Sequence, residues 1–483
     1  MDLLTALQTE NTVTENGMTT NTTSLNANVN LFFTIGALRG QSTERLFSLF
    51  SKAYAENPLT AMKILFWSRD VREGAGERQI FRNILEYLVS NGHEDAVIAN
   101  LSLIPAFGRW DDLAVLFGTK VQEKTLDLIV EGLNNKDALC AKWMPRPTKS
   151  DFANIIRKRM KLSPKEYRKL LVELSDTVET KMCAKKWDSI DFGKLPSVAS
   201  ARYQKAFGRN AYGQYSAYVE RLTKGTDKIN AGAVYPYDIV KSVMSGNKDV
   251  AVAQWSTLPN WMEGSDERIL PVVDTSGSMS CPAGSNGNIS CLDVAISLGL
   301  YISERNVGKF KDSFITFSDI PQLEVLNGNL VDRINQLRQS EWGMSTNIEA
   351  VFDLLLRQAV RFSVPENEMP TKILILSDME FNQATNHNSW HSFNSENKVW
   401  NPTVQQMIQE KYNNAGYKIP DIIYWNIQSR NDNFPVRFDQ TGTALISGFS
   451  PSILKSVISG EQINPYEIMG KTINDPRYNV ITI

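Results

Sequence analysis

Two short apolar runs in the second half of the chain each end on an aspartate. They are Ile269-Leu270-Pro271-Val272-Val273-Asp274 and Ile373-Leu374-Ile375-Leu376-Ser377-Asp378. A run of this kind, without polar alternation, fits a strand buried on both faces, as in a parallel sheet covered by helices. A carboxylate ending such a strand lies at the edge where α/β folds hold their ligands. The first run continues as Thr275-Ser276-Gly277-Ser278, so hydroxyls follow Asp274 at every second position. Gly343-Met344-Ser345-Thr346-Asn347 places another hydroxyl just before a helical pattern that begins at Ile348. Carboxylate and hydroxyl oxygens together suit a small hard cation, Mg²⁺ or Mn²⁺, rather than zinc or copper. A second reading is a polar turn after a buried strand, for which Ser-Gly-Ser is ordinary.

The chain around these runs alternates. Strands are predicted over residues 269–273, 314–317, 324–326, 372–376, 422–426 and 444–446. Helical patterns lie between them at 292–304, 330–337, 347–356, 404–413 and 452–459. This spacing implies a doubly wound α/β domain of parallel strands over residues 266–483, with helices on both faces.

The first half has a different pattern. Residues 1–30 are rich in Thr, Asn and Glu and read as a disordered polar tail. From residue 31 to 248, apolar residues recur at helical spacing between Gly, Pro and polar breaks. Leu46, Leu49 and Phe50 form one such face, and Phe81, Ile84, Leu85 and Leu88 another. Successive short helices predict an α-solenoid of paired helices, although no strict repeat is present. Residues 249–265 read as a linker. The expected fold class is therefore α + α/β.

Charge is uneven. Residues 142–224 hold 19 Lys and Arg against 8 Asp and Glu, an excess of 11 positive charges in a chain of net charge −2. Arg157, Lys158, Lys161, Lys165, Arg168, Lys169, Lys185, Lys186, Arg202, Lys205 and Arg209 can form a basic face for a polyanion. Tyr167, Trp187 and Tyr203 lie among them and can stack bases. The alternatives are a solvated helical face for the cations and core packing for the aromatics. Four cysteines, Cys140, Cys183, Cys281 and Cys291, lack metal-type spacing and suggest free thiols in a reducing, cytoplasmic setting. Cys281 and Cys291 flank one loop and can pair if oxidised. His387 and His391 stand four apart with no helical pattern and no Cys or third His nearby, so the stretch reads as a partner-facing loop rather than a zinc site. No apolar run is long enough for a membrane span, and the chain does not open on a secretory-signal pattern. No nucleophile–base pairing and no phosphate-binding glycine motif is present, so no catalytic residue is assigned and no enzyme is expected.

Asp274-x-Ser276-x-Ser278, the loop Thr346 and the strand-end Asp378, in this order, resemble the metal-ion-dependent adhesion site (MIDAS) of the von Willebrand factor A family. The resemblance makes Asp274, Ser276, Ser278, Thr346 and Asp378 the ion ligands or their water-mediated partners. The sequence departs from the common Asp-Gly at the last motif, where Asp378 is followed by Met379-Glu380-Phe381. Four stretches precede it, at residues 69–82, 107–113, 143–145 and 187–209. Read singly, each suggests a structural turn or a packed Trp. Together they resemble the TROVE module of the Ro autoantigen family, and a set of phage, viral and plant proteins of the same architecture, over residues 31–483. That resemblance implies a ring of helical repeats closed by the A domain. It implies structured noncoding RNA on a basic outer surface, single-stranded RNA ends in the hole, and a protein partner giving a carboxylate to the cation. Neither DNA nor a membrane is an expected partner. The competing function is a cation-dependent protein-interaction module that binds no RNA.

Overall fold

Both apolar runs become central strands of one sheet. The structure, a computed structural model, describes residues 11–147, 150–283, 289–317, 320–339, 346–382, 404–458 and 463–483. Two compact units divide the chain. One comprises Met1–Ile64 with Asn260–Asp475, the other Leu65–Pro259 with Pro476–Ile483. The fold class is α + α/β, as expected, but the boundary differs from the predicted one: residues 11–64 belong with the sheet.

The first unit begins with two short antiparallel strands, β1 (Asn11–Val13) and β2 (Thr19–Asn21). The sheet follows, with β3 (Ile269–Asp274), β4 (Ser313–Phe317), β5 (Leu323–Val325), β6 (Lys372–Ser377), β7 (Asp421–Asn426) and β8 (Thr443–Ser447), in the order β5-β4-β3-β6-β7-β8. All neighbours are parallel except β5, which runs antiparallel to β4. The expectation of an all-parallel sheet fails only at this edge strand, which is too short and exposed to need covering. The strands β3, β4, β6 and β8 are buried at every residue, which accounts for their uninterrupted apolar character. The helix Cys291–Arg305 covers β3, and its Gly299 lies so close that an added Cβ would fall 2.6 Å from Val273 Cγ2.

Residues 11–35 are not a disordered tail. After β1 and β2, Asn26 caps the helix Ala27–Ile35 by accepting from Val29 N–H. This helix buries Val29, Leu31, Phe32, Phe33 and Ile35. Ser447 on β8 donates to the Phe32 carbonyl at 2.8 Å, and Gly36 N–H donates back to Ser447 Oγ at 3.1 Å. A Cβ on Gly36 would lie 2.7 Å from the Gly448 backbone, so only glycine permits this approach.

The second unit is helical among its described residues. The charged signatures of the sequence converge in its interior. Arg69, 2% exposed, donates through Nε to Asp112 Oδ2 at 2.7 Å, and Arg82 Nε meets Asp112 Oδ1 at 2.7 Å. Arg82 also pairs with Asp111 at 2.9 Å, and the Arg109 guanidinium stacks 4.0 Å above the Trp143 ring. Gly74 sits where a Cβ would fall 1.9 Å from the Trp67 carbonyl oxygen. These contacts tie the stretches at 69–82, 107–113 and 143–145 to one another. The predicted linker is also ordered: Lys248–Thr257 is a helix that buries Val250, Ala251 and Trp255. Among the described residues no helix is long and apolar enough to cross a membrane.

Candidate metal centre

Strand order places the candidate site. From β3 the chain moves outward to β4 and β5, then returns to the other side of β3 as β6. The carboxyl ends of β3 and β6 therefore flank the point where the sheet changes direction, the position at which α/β sheets open a crevice. Val273 pairs with Leu376, so Asp274 stands level with Ser377, and Asp378 follows one residue on. Neighbouring strands lie about 4.8 Å apart, which brings the two aspartates to one edge.

Asp274 is fully buried. Its Oδ1 accepts from Ser276 N–H at 2.9 Å and its Oδ2 from Ser377 Oγ at 2.5 Å. Burial, and then the charge of Asp378, push its carboxyl up to about 7, against the pull of these bonds. Asp378, 2% exposed, is paired with the Arg430 guanidinium, and its Oδ1 accepts from Glu380 N–H at 3.3 Å. Ser276 Oγ and Ser278 Oγ are 2.9 Å apart. Adjacent ligands of an octahedral Mg²⁺ with bonds near 2.1 Å stand about 3.0 Å from each other, close to this separation. The donor set thus fits a small hard cation on two counts: the hydroxyl spacing, and a buried carboxyl that borders a second acid.

Thr346 is also at this edge but faces the segment after Asp378. Its hydroxyl donates to the Glu380 carbonyl at 2.9 Å, lies 3.1 Å from Asn382 Oδ1, and accepts from Asn16 Nδ2 at 3.4 Å. Met379, where the common motif has glycine, adopts φ +66°, the left-handed region, with its side chain buried. Among the described residues no group of three or more His, Cys, Asp and Glu stands ready for a metal, so the candidate centre depends on its hydroxyls. The histidines His387 and His391 lie outside the described residues.

Five participants escaped the sequence reading. Ser377 orients Asp274. Arg430 lies in the loop after β7, the strand next to β6, and that adjacency is the signal that could have found it. Glu380, 1% exposed, accepts from Glu15 N–H at 2.8 Å and from Asn431 and Asn433 at 3.0 and 2.9 Å. Burial raises its carboxyl first. Asn16 donates to the Glu380 carbonyl at 2.6 Å, and Thr14 to the Phe381 carbonyl at 2.5 Å, so the turn between β1 and β2 is fastened to the site's border. No local pattern marks Asn16.

The basic residues lie in the helical unit. Lys158, Lys161, Lys165, Arg168, Lys169, Lys185, Lys186, Arg202, Lys205 and Arg209 are exposed. Arg157 is half-buried and donates to Asn154 Oδ1 at 2.8 Å. Arg159, by contrast, is held by Glu123 and Asp127. Tyr167 is fully buried, and Trp187 and Tyr203 pack against a cluster formed by Phe192, Phe207 and Tyr218. Tyr167 is thus a core side chain, whereas Trp187 and Tyr203 are partly buried at the edge of that cluster.

Fold and site together define a two-unit protein: an α/β sheet that carries a candidate divalent-cation centre, and a helical unit. A family model described as Domain of unknown function (DUF2828) matches residues 14–135 and 126–267, more than half of the chain. The chain belongs to that family. A second model, Domain of unknown function (DUF7788), matches residues 268–477. The chain is also similar to Uncharacterized protein L728 of Acanthamoeba polyphaga mimivirus, at 29% identity over 513 residues, 94% of this chain and 86% of the relative.

Proposed function

We propose that this is a Ro-like RNA-binding protein, a cytoplasmic scaffold or chaperone for structured noncoding RNA. Its α/β unit, von Willebrand factor A-like, holds Mg²⁺ or Mn²⁺ for docking an acidic partner. Asp274, Ser276, Ser278 and Asp378 hold the cation, with Thr346 fixing the loop that follows Asp378. When bound, the cation supplies an open coordination position for a carboxylate or phosphate oxygen of the partner. The single observation that carries this reading is the meeting of two buried carboxylates and two hydroxyls 2.9 Å apart at the sheet's change of direction. The exposed cations between Lys158 and Arg209 support the RNA half, and a helical-repeat ring with single-stranded RNA ends in its hole belongs to the same proposal.

A second reading is a cation-dependent protein-interaction module without RNA, and the packed Tyr167, Trp187 and Tyr203 favour it. RNA filter binding across a salt series separates the two. The RNA reading requires affinity at low salt that falls log-linearly as salt rises. Absence of affinity at low salt leaves the protein-interaction module. In parallel, Mn²⁺ titrated into the full chain should bind at one site that Asp274→Ala abolishes. Unchanged Mn²⁺ binding in that variant defeats the cation half.

A further inference from the structure

Cys281 and Cys291 border the loop that follows Ser278, and their sulfurs are 3.5 Å apart. The backbone sets this separation. Pro282 and Ser290 form an antiparallel bridge, Ala283 N–H donates to the Ile289 carbonyl at 2.7 Å, and Cys291 N–H donates to the Cys281 carbonyl at 3.0 Å. In this register Cys281 stands directly opposite Cys291. Opposed residues of an antiparallel pair have Cα atoms about 4.5–5.5 Å apart, within the range of roughly 4.4–6.8 Å that a disulfide spans. Both thiols donate to one oxygen, Gln428 Oε1, and Gln428 Nε2 donates to the Pro282 carbonyl at 3.3 Å. A single side chain thus holds the two sulfurs side by side. Cys281 is partly exposed, whereas Cys291 is buried. The remaining cysteines have no such neighbour: Cys140 is buried against the Ile129 carbonyl, and Cys183 is exposed.

We propose that Cys281 and Cys291 form an oxidisable dithiol that a hydroperoxide closes to a disulfide. Cys281, the accessible sulfur, attacks the peroxide oxygen. An S–O bond forms, the O–O bond breaks, and the departing hydroxide takes the thiol proton as water. Cys291 sulfur then attacks the Cys281 sulfenic acid, displacing its hydroxyl, which leaves as a second water with the Cys291 proton. Two thiols are oxidised and one peroxide is reduced. Closure needs little backbone movement because the two residues already face each other. The inference rests on sulfur geometry and stands whether or not the neighbouring acids hold a cation.

The test uses the full chain, reduced, desalted and exposed to hydrogen peroxide in small molar excess. Two of the four thiols should become inert to alkylation and return with dithiothreitol. The tryptic peptide spanning residues 269–305, which contains both cysteines, should lose two hydrogens. In Cys291→Ser, dimedone should label Cys281, and in Cys281→Ser that peptide should stay unlabelled. Oxidation at exposed Cys183 with an unchanged 269–305 peptide overturns the proposal. So does loss of the two thiols only through crosslinks between chains. The wild-type peptide mass decides the matter even if a serine variant fails to fold.

Discussion

Asp274→Asn tests the electrostatics of the candidate centre directly. Raising the Asp274 carboxyl from 3.8 to about 7 disfavours its ionised form in the folded state by roughly 4 kcal/mol. The sign follows from proton counting. Between about pH 4 and pH 7 the folded protein keeps a proton that the unfolded chain has released. Stability therefore falls as pH rises through this window and stays low above it. Asparagine is nearly isosteric, carries no charge and has no such slope. It weakens the bonds from Ser276 N–H and Ser377 Oγ, at a cost of about 1 kcal/mol. In chelator at pH 8 the variant should thus exceed the parent by roughly 3 kcal/mol. At pH 4 the parent should be equal or better. Divalent cation at a thousandfold its Kd reverses the order at pH 8, because it adds about 4.1 kcal/mol to the native state that binds it. Urea titrations at both pH values, with chelator and with Mg²⁺ or Mn²⁺, give all the terms. A parent as stable as the variant at pH 8 in chelator refutes the reasoning.

Arg430→Gln strips Asp378 of its ion-pair partner. It should cost roughly 2–3 kcal/mol in chelator, since Arg430 is itself partly exposed, and Mn²⁺ should restore most of the loss. Gly36→Ala forces a methyl to 2.7 Å from the Gly448 backbone and should destabilise the first unit by about 1–3 kcal/mol in urea titration. Arg69→Met leaves Asp112 buried with Arg82 as its remaining partner, and should cost about 3 kcal/mol, read from the helical unit's thermal transition. Lys165→Ala with Lys169→Ala should lower the RNA salt slope by roughly 0.7–0.9 for each phosphate no longer neutralised, measured by filter binding.

The sheet was legible because buried parallel strands write themselves as plain apolar runs. Every predicted strand appears within a residue or two of its expected ends, and Asp274 and Asp378 mark where two of them stop. The antiparallel turn of β5 was not legible, since three residues carry no direction. The opening of the chain was misread for a physical reason. Its Thr and Asn side chains look solvated, yet Thr14, Asn16 and Asn21 direct their hydrogen bonds to Phe381, Glu380 and Phe434, hundreds of residues away. Composition cannot register a partner at that distance. Arg430 was hidden likewise, because its role exists only once β7 lies beside β6. The helical signatures were visible as charge and glycine, but their convergence on Asp112 needed the fold.

The residue at position 379 bears on how chains of this kind are found. A search template that insists on glycine after the second acid rejects this protein at that letter. Its main chain nevertheless bends there as glycine would, with a buried methionine accepting the contorted torsion. A template written in torsion angles would score the left-handed φ of +66° at this position instead of the letter.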